Sequence, residues 1–181
     1  MYKKLKLLRA DIMIEFFLRM IDNETYCITH CIGKGDTAII PANKNITVLF
    51  DDLFKRRADL IRVDIPDTVI EIGGFVFDGC KNLKEIVLPP HLENMWQYAM
   101  TRCGIEKIDI PGSIVSIIPF TFYKCENLTT VKLNEGTKFI KAWSFKDCIN
   151  LRDVYLPESI EKVSDLAFEG CSDVILHYKD K

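Results

Sequence analysis

Residues 83–89 read Leu-Lys-Glu-Ile-Val-Leu-Pro, and residues 151–157 read Leu-Arg-Asp-Val-Tyr-Leu-Pro. The last three residues before each proline alternate between inward and outward positions, which is the periodicity of a β-strand. Proline then ends the strand because it has no backbone N–H to continue a ladder. The same pattern opens at Leu60 and at Ile105. The stretch therefore predicts one short strand that recurs along the chain.

Cysteines mark the period of this repeat. Five of them are separated by 23, 22, 23 and 23 residues: Cys80, Cys103, Cys125, Cys148 and Cys171. The strand pattern starts three residues after most of them, whereas Ile105 follows Cys103 after two and accounts for the one short repeat. A fixed period of this length is typical of solenoids, in which each repeat forms one coil.

The second half of each unit carries a small residue followed by a bulky one. The pairs are Val76-Phe77, Ala99-Met100, Thr121-Phe122, Ser144-Phe145 and Ala167-Phe168. A small residue lets the returning backbone come close, while the large side chain fills the centre of the coil. One coil cannot bury its own apolar edges, so we expect the coils to stack into a one-dimensional core.

The complete unit resembles the BspA-like leucine-rich repeats. It reads L-x-x-I-x-I-P, then x-S-I-x-x-I, then a small residue, Phe, two residues and Cys, and it runs from Leu60 to Val174. The resemblance implies a leucine-rich-repeat fold and a role in adhesion or protein recognition. It also implies a cell-surface location for many family members, which carry an export signal that is not read in this chain.

We therefore predict an α/β repeat solenoid of the leucine-rich-repeat type, right-handed, with one short parallel strand per coil. The repeats and a C-terminal cap are assigned to residues 58–181. Residues 23–57 are assigned to a capping hairpin and a degenerate repeat, the hairpin strands being Tyr26 to Ile32 and Thr37 to Pro41.

The start of the chain lies outside the repeat. Apolar residues recur there at helical spacing: Leu5, Leu8, Ile12, Phe16 and Met20. This spacing predicts an amphipathic helix over residues 1–22. The helix is expected to cover the end of the solenoid, and pairing with a second chain is the alternative.

Composition and charge limit the partners and the location. The chain has 48% hydrophobic and 28% charged residues and a net charge of -2, so it has no broad basic field for nucleic acid or for an anionic membrane. A signal-peptide core is interrupted by Arg9, Asp11 and Glu15, and no apolar run reaches membrane-spanning length. We expect a cytoplasmic protein, unless the chain was cut from a longer precursor, that binds neither nucleic acid nor membrane.

Cysteines can form disulfides or bind a metal ion, and the sequence bears on both. The five repeat cysteines are expected in one buried, reduced column, and the odd total of seven also argues against a disulfide framework. Cys27 and Cys31 lie about 13 Å apart if they share a strand, and His30 points to the opposite face. The sequence therefore predicts no metal site.

No catalytic constellation is apparent in the sequence. The three histidines, His30, His91 and His177, have no serine or cysteine partner in a nucleophile motif. We expect the chain not to be an enzyme and to carry no cofactor.

The outward positions of the predicted strands form two columns, which we call the strand face. They are Arg62, Glu85, Lys107, Thr130 and Asp153 in the first column, and Asp64, Val87, Asp109, Lys132 and Tyr155 in the second. Packing does not fix outward positions in a repeat protein, so their variety is typical of a recognition face. A solvated surface without a partner is the other reading.

A second column, mostly aromatic, runs one residue before each small residue. It consists of Phe75, Tyr98, Phe120, Trp143 and Leu166, and Trp96 lies beside it. These rings either seal the core from outside or form a second partner site.

The sequence thus predicts a non-catalytic binding module that recognises another protein through the strand face. A monomer is favoured, and a homodimer is the alternative state. The alternative function is structural self-assembly through the N-terminal helix or the solenoid ends.

Overall fold

The computed structural model describes residues 3–5 and 14–179, and these residues form strands and turns with no helix. The strands are β1 (Lys3–Leu5), β2 (Glu15–Met20), β3 (Tyr26–Ile32), β4 (Thr37–Ile39), β5 (Ile46–Leu49), β6 (Arg62–Asp64), β7 (Glu71–Ile72), β8 (Glu85–Ile86), β9 (Asn94–Met95), β10 (Lys107–Ile110), β11 (Ser116–Ile117), β12 (Thr130–Leu133), β13 (Phe139–Ile140), β14 (Asp153–Leu156), β15 (Lys162–Val163) and β16 (Ile175–Tyr178).

Each coil carries two short strands, so the expectation of one strand per coil is wrong. The first strand side consists of the sheets β4-β6-β8 and β10-β12-β14-β16. The second strand side consists of β3-β5-β7-β9 and of β11-β13-β15. From β3 onward, neighbouring strands within these sheets are parallel. The second strand arises because the last two positions of x-S-I-x-x-I pair between successive coils, as Ser116 does with Phe139 and Ile117 with Ile140.

The third side of the coil, the turn side, reverses the chain through two left-handed residues four positions apart. The pairs are Asp52 and Arg56, Phe75 and Gly79, Tyr98 and Arg102, Phe120 and Lys124, and Trp143 and Asp147. A left-handed conformation costs a non-glycine residue about 1–2 kcal/mol. Backbone hydrogen bonds to the next coil hold these turns, as from Phe77 N to Ala99 O at 2.8 Å and from Phe122 N to Ser144 O at 2.9 Å.

The core runs along the solenoid axis as stacks of the bulky residues. Phe122 and Phe145 stack with ring centroids 5.0 Å apart, and Phe145 and Phe168 stack at 5.5 Å. The small residues that precede these rings, such as Ser144 and Ala167, are also buried. The alternation of small and large residues therefore packs as the sequence predicts.

The prediction of an amphipathic helix over residues 1–22 is wrong wherever the structure describes these residues. Strands β1 and β2 pair antiparallel, with Lys3 opposite Leu18. Phe16 and Leu18 are buried while Phe17 between them is less so, which is a period of two. Residues four apart share a face in a helix and in a strand alike, so the spacing of Phe16 and Met20 did not distinguish the two. Leu8 and Ile12 lie outside the described residues.

The predicted capping hairpin is also wrong, because β3 and β4 do not pair with each other. Strand β3 pairs antiparallel with β2 and parallel with β5, whereas β4 pairs parallel with β6. Residues 33–36 are therefore the corner of a first coil rather than a hairpin turn. The antiparallel element at this end is β2 with β3.

Both strand sides are interrupted at the same level, between β8 and β10 and between β9 and β11. We call this junction the seam. It coincides with the repeat that is one residue short, where Gly104 packs directly on the preceding coil. The turn side remains continuous across the seam, with Met100 N bonded to Thr121 O and Arg102 N to Tyr123 O, each at 2.9 Å.

Gly104→Ala tests the close approach at the seam. A Cβ at this position would lie 2.0 Å from Lys81 O, so the two coils must separate. We expect the free energy of unfolding to fall by about 1–3 kcal/mol in urea denaturation. Gly35→Ala is the matched control, because its Cβ would meet nothing closer than 3.8 Å. Equal stability of the two variants would contradict the packing described here.

Candidate functional site

The structure places the residues of the strand face on the first strand side. Lys107, Thr130 and Asp153 pair in one register column, and Asp109, Lys132 and Tyr155 pair in the other. On the other side of the seam, Arg62 pairs with Glu85, Asp64 ends β6, and Val87 follows β8. The seam therefore divides the strand face into two groups of neighbours.

Several charges of the strand face pair with one another. Arg62 Nε donates to Asp64 Oδ1 at 2.7 Å, and Arg62 Nη1 donates to Glu85 Oε2 at 3.5 Å. Lys132 Nζ lies 4.0 Å from Asp109 Oδ2. These pairs are exposed, and exposed ion pairs contribute only about 0–1 kcal/mol each. A partner can therefore exchange them for its own charges at little cost.

His177 extends the strand face by one coil, and the sequence reasoning missed it. Its Nε2 lies 2.7 Å from Asp153 Oδ1, and its ring stacks on Tyr155 with centroids 4.5 Å apart. The strand pairing places His177 directly beside Tyr155. Adding the 23-residue repeat length to Tyr155 gives Tyr178, so the sequence spacing points to the neighbouring residue and only the strand register identifies this histidine.

The predicted aromatic column is a continuous ring stack, which we call the aromatic ladder. Ring centroids are 4.8 Å apart between Phe75 and Tyr98, 5.2 Å between Tyr98 and Phe120, and 5.5 Å between Phe120 and Trp143. The ring planes are within 16° of parallel. Lys55 Nζ covers the outer face of Phe75 at 4.5 Å. The facing surfaces of these rings contact one another within the chain, which favours a structural role for the ladder.

Trp96 lies beside the ladder and is not part of it. Its side chain is 49% exposed, and its Nε1 donates to Glu71 Oε1 at 2.9 Å. Trp96 forms one wall of a shallow groove between the second strand side and the aromatic ladder, which also includes Phe50 and Asp51.

The repeat cysteines lie in one column, buried except for the partly exposed Cys171, and all seven cysteines are free. The Cys80 thiol donates to Phe54 O at 3.0 Å and the Cys125 thiol to Met100 O at 2.9 Å, so each thiol bridges two coils. Burial raises the pKa of Cys80 and of Cys103 to about 12. Because the thiolate is the nucleophilic form, these two groups are unreactive near neutral pH.

Arg57 occupies the cysteine position one coil before Cys80. It donates to both carboxylate oxygens of Asp59, at 2.7 and 2.8 Å, and these hydrogen bonds lower the pKa of Asp59 to about 2. Arg57 Nη1 also lies 3.6 Å from Cys31 Sγ. Arg57 and Asp59 thus form an ion pair at the end of the cysteine column. The guanidinium does not activate the Cys31 thiol, since burial raises the pKa of Cys31.

Cys27, His30 and Cys31 are directed at different neighbours. The Cys27 thiol donates to Arg19 O at 3.6 Å, and the Cys31 thiol donates to Leu53 O at 3.3 Å. The His30 ring stacks on Phe17 with centroids 4.1 Å apart. Within residues 3–5 and 14–179, no group of three His, Cys, Asp or Glu side chains is arranged to hold a metal ion.

The same residues include no helix able to cross a membrane.

Residues 47–175 match the BspA-type leucine-rich repeat region in six copies. The chain belongs to this family. The resemblance seen in the repeat is therefore confirmed, and leucine-rich-repeat proteins of this family are typically non-catalytic binding modules. No curated protein is detectably similar to the chain.

Solved bacterial structures share the solenoid. A leucine-rich repeat protein from T. pallidum superposes with a TM-score of 0.79 at 27% identity, over 96% of this chain and 82% of that one. A leucine-rich cell surface protein from Faecalibacterium prausnitzii gives 0.68 at 23% identity, over 95% of this chain and 50% of that one. A leucine-rich repeat protein from Bacteroides ovatus gives 0.56 at 21% identity, over 89% and 51%. The likeness to the last two concerns the fold.

Tyr98→Ala tests the structural role of the aromatic ladder. The substitution removes two ring pairs, each worth about 0.5–1.5 kcal/mol, so we expect a loss of about 1–3 kcal/mol in the free energy of unfolding. Trp96→Ala, two residues away, removes an exposed ring with no ring partner in the described part of the chain and should cost less than about 1 kcal/mol. Urea denaturation of both variants measures the difference, and a larger loss for Trp96→Ala would contradict this assignment.

Proposed function

We propose that the chain is a non-catalytic module that recognises another protein through the strand face. Its family typically has this type of activity, and the geometry supports the strand face as the contact surface. The two sides of each strand differ in how far packing constrains them. Inward residues such as Ile108, Val131 and Val154 are buried and nearly uniform in type. The outward residues beside them differ from coil to coil.

The main support for this proposal comes from two exposed apolar side chains. Val87 is 81% exposed, and Tyr155 is 44% exposed. Each stands among charged residues, Val87 near Arg62 and Glu85 and Tyr155 beside Lys132. Binding energy at protein interfaces concentrates in a few apolar or aromatic anchors surrounded by a polar rim. The strand face has this composition on both sides of the seam.

The test is affinity capture with matched variants. Val87→Glu with Tyr155→Asp places charges on both anchors, and Val115→Glu places the same type of charge on the second strand side, where Val115 is 48% exposed. We expect a protein retained by the wild type and by Val115→Glu, but depleted at least about tenfold by the strand-face variant, as the loss of a single anchor predicts. Quantitative mass spectrometry of the retained proteins measures this ratio.

The control establishes that the variants are folded. All three proteins should have the same melting temperature within a few degrees, because the substituted side chains are exposed. Retention of the same proteins by all three would mean that the strand face is not the contact surface.

A second candidate function, self-association, is favoured by the last coil. Core positions that are fully buried in the preceding coil are partly exposed in this one. In the preceding coil, Phe145, Leu151 and Val154 are fully buried. Their equivalents Phe168, Val174 and Leu176 are partly exposed. Leu166, beyond the end of the aromatic ladder, is 46% exposed. We propose that a second chain covers this end if the protein self-associates.

Leu166→Glu tests self-association. If the end of the solenoid is the contact, sedimentation velocity should show a concentration-dependent dimer for the wild type and for Val115→Glu, and a monomer for Leu166→Glu, because the charge would be buried without a partner. A wild-type protein that stays monomeric at its highest soluble concentration would exclude this candidate and leave strand-face recognition unaffected.

A further inference from the structure

Beside the aromatic ladder, a glycine lies between two aromatic residues on neighbouring coils. Leu49, Ile72 and Met95 align across neighbouring strands, so the residues that follow them, Phe50, Gly73 and Trp96, also align. Phe50 and Trp96 therefore flank a position without a side chain, on the order of 10 Å apart at two strand spacings.

Asp51 occupies the space that a side chain at Gly73 would need. A Cβ at Gly73 would lie 2.4 Å from Asp51 Oδ1 and 2.8 Å from Asp51 N. Glycine at this position therefore lets the Asp51 carboxylate lie between the two rings. We call the groove lined by Phe50, Asp51, Glu71, Gly74 and Trp96 the tryptophan notch.

The notch is acidic. Asp51 Oδ1 accepts a hydrogen bond from Gly74 N at 2.7 Å, and Glu71 Oε1 accepts one from Trp96 Nε1 at 2.9 Å. These bonds fix both carboxylates at the groove. In the described ranges neither carboxylate has a cationic partner within ion-pair distance, and the lining of the groove includes no lysine or arginine.

Cations of the same chain cover several other rings of the protein, including Phe50 and Phe75, which line the same groove. Arg19 lies 5.1 Å from the Phe50 ring centre and Lys55 lies 4.5 Å from that of Phe75. Lys124 and Lys141 cover Tyr123 and Phe139 in the same way, at 5.2 and 4.4 Å.

Trp96 differs from these rings. Neither a ring nor a cation covers its indole among residues 3–5 and 14–179, although indole is the side chain that attracts cations most strongly. An uncovered indole next to two fixed carboxylates is complementary to one positive charge.

We infer that the tryptophan notch binds a lysine or arginine side chain of a partner polypeptide. The cationic group lies over the Trp96 indole, and Glu71 and Asp51 balance its charge. The exposed side chain of Ile70, which directly precedes Glu71, contacts the rest of the segment. This contact lies on a different side of the coil from the strand face and adds a second, charge-selective site to the protein.

Trp96 itself reports on the binding. The chain has two tryptophans, so Trp143→Phe leaves Trp96 as the single indole and keeps the ring stack of the ladder. The probe is a short peptide with blocked ends that carries one arginine between two leucines. Its matched control has citrulline, which is neutral and of the same shape, in place of arginine. We expect the arginine peptide to change the Trp96 fluorescence saturably in the millimolar range, and the citrulline peptide to bind at least about threefold more weakly.

Charge-removing variants identify the carboxylates. Glu71→Gln and Asp51→Asn each keep the oxygen that accepts the intrachain hydrogen bond, so both should fold. Each should weaken binding of the arginine peptide about threefold, and the double variant about tenfold. Asp109→Asn on the strand face removes one carboxylate elsewhere and should leave the binding unchanged.

Three outcomes would overturn the inference. Equal binding of the arginine and citrulline peptides would show that no charge is recognised. Unchanged binding in the double variant, with an unchanged melting temperature, would show that the two carboxylates do not contribute to the site. Self-association of the wild type in sedimentation velocity, lost in Trp96→Leu, would identify a second copy of this chain as the occupant instead of a basic segment.

Discussion

A coil of 22–23 residues leaves its apolar edges in water unless another coil covers them, and the rest of the structure depends on this constraint. Each coil contributes hydrogen bonds from three sides and one large side chain to the next, such as Phe145 between Phe122 and Phe168. No coil has a core of its own. Stability is therefore a sum of contacts between neighbours, and every inward position is under the same packing demand.

The turn side shows how stacking offsets local strain. Tyr98 and Phe120 adopt left-handed backbone conformations that glycine would adopt without penalty. Glycine would lose the ring contacts, which are worth about as much as the strain for each pair. The turn therefore tolerates aromatic residues because their neighbours one coil away have the same conformation and orient parallel rings.

Periodic features could be predicted from the sequence, and features without periodicity could not. The stack of coils, the cysteine column and the location of Lys107, Asp109 and Tyr155 on one strand side follow from residue spacing alone. The second strand of each coil is only two residues long in most coils, too short for an alternation to be recognised. At the N-terminus, Phe16 and Met20 fitted a helix and a strand equally well. Trp96 was noticed, and the 23-residue spacing already places Gly73 one coil before it, but whether a ring or a cation covers the indole depends on side-chain contacts that spacing does not give.

The seam also affects how a partner can use the strand face. Arg62 and Val87 belong to one segment of the strand face, and Lys132 and Tyr155 to another. Across the seam the coils are held together by the turn side, by Gly104 N bonded to Cys80 O, and by Ser113 Oγ bonded to Pro90 O and Leu92 O. If a partner uses the strand face as proposed, binding to one segment brings it to the other at a high effective concentration. Two weak contacts on this protein can therefore combine into one tight complex, while a ligand that covers a single segment gains nothing from the second.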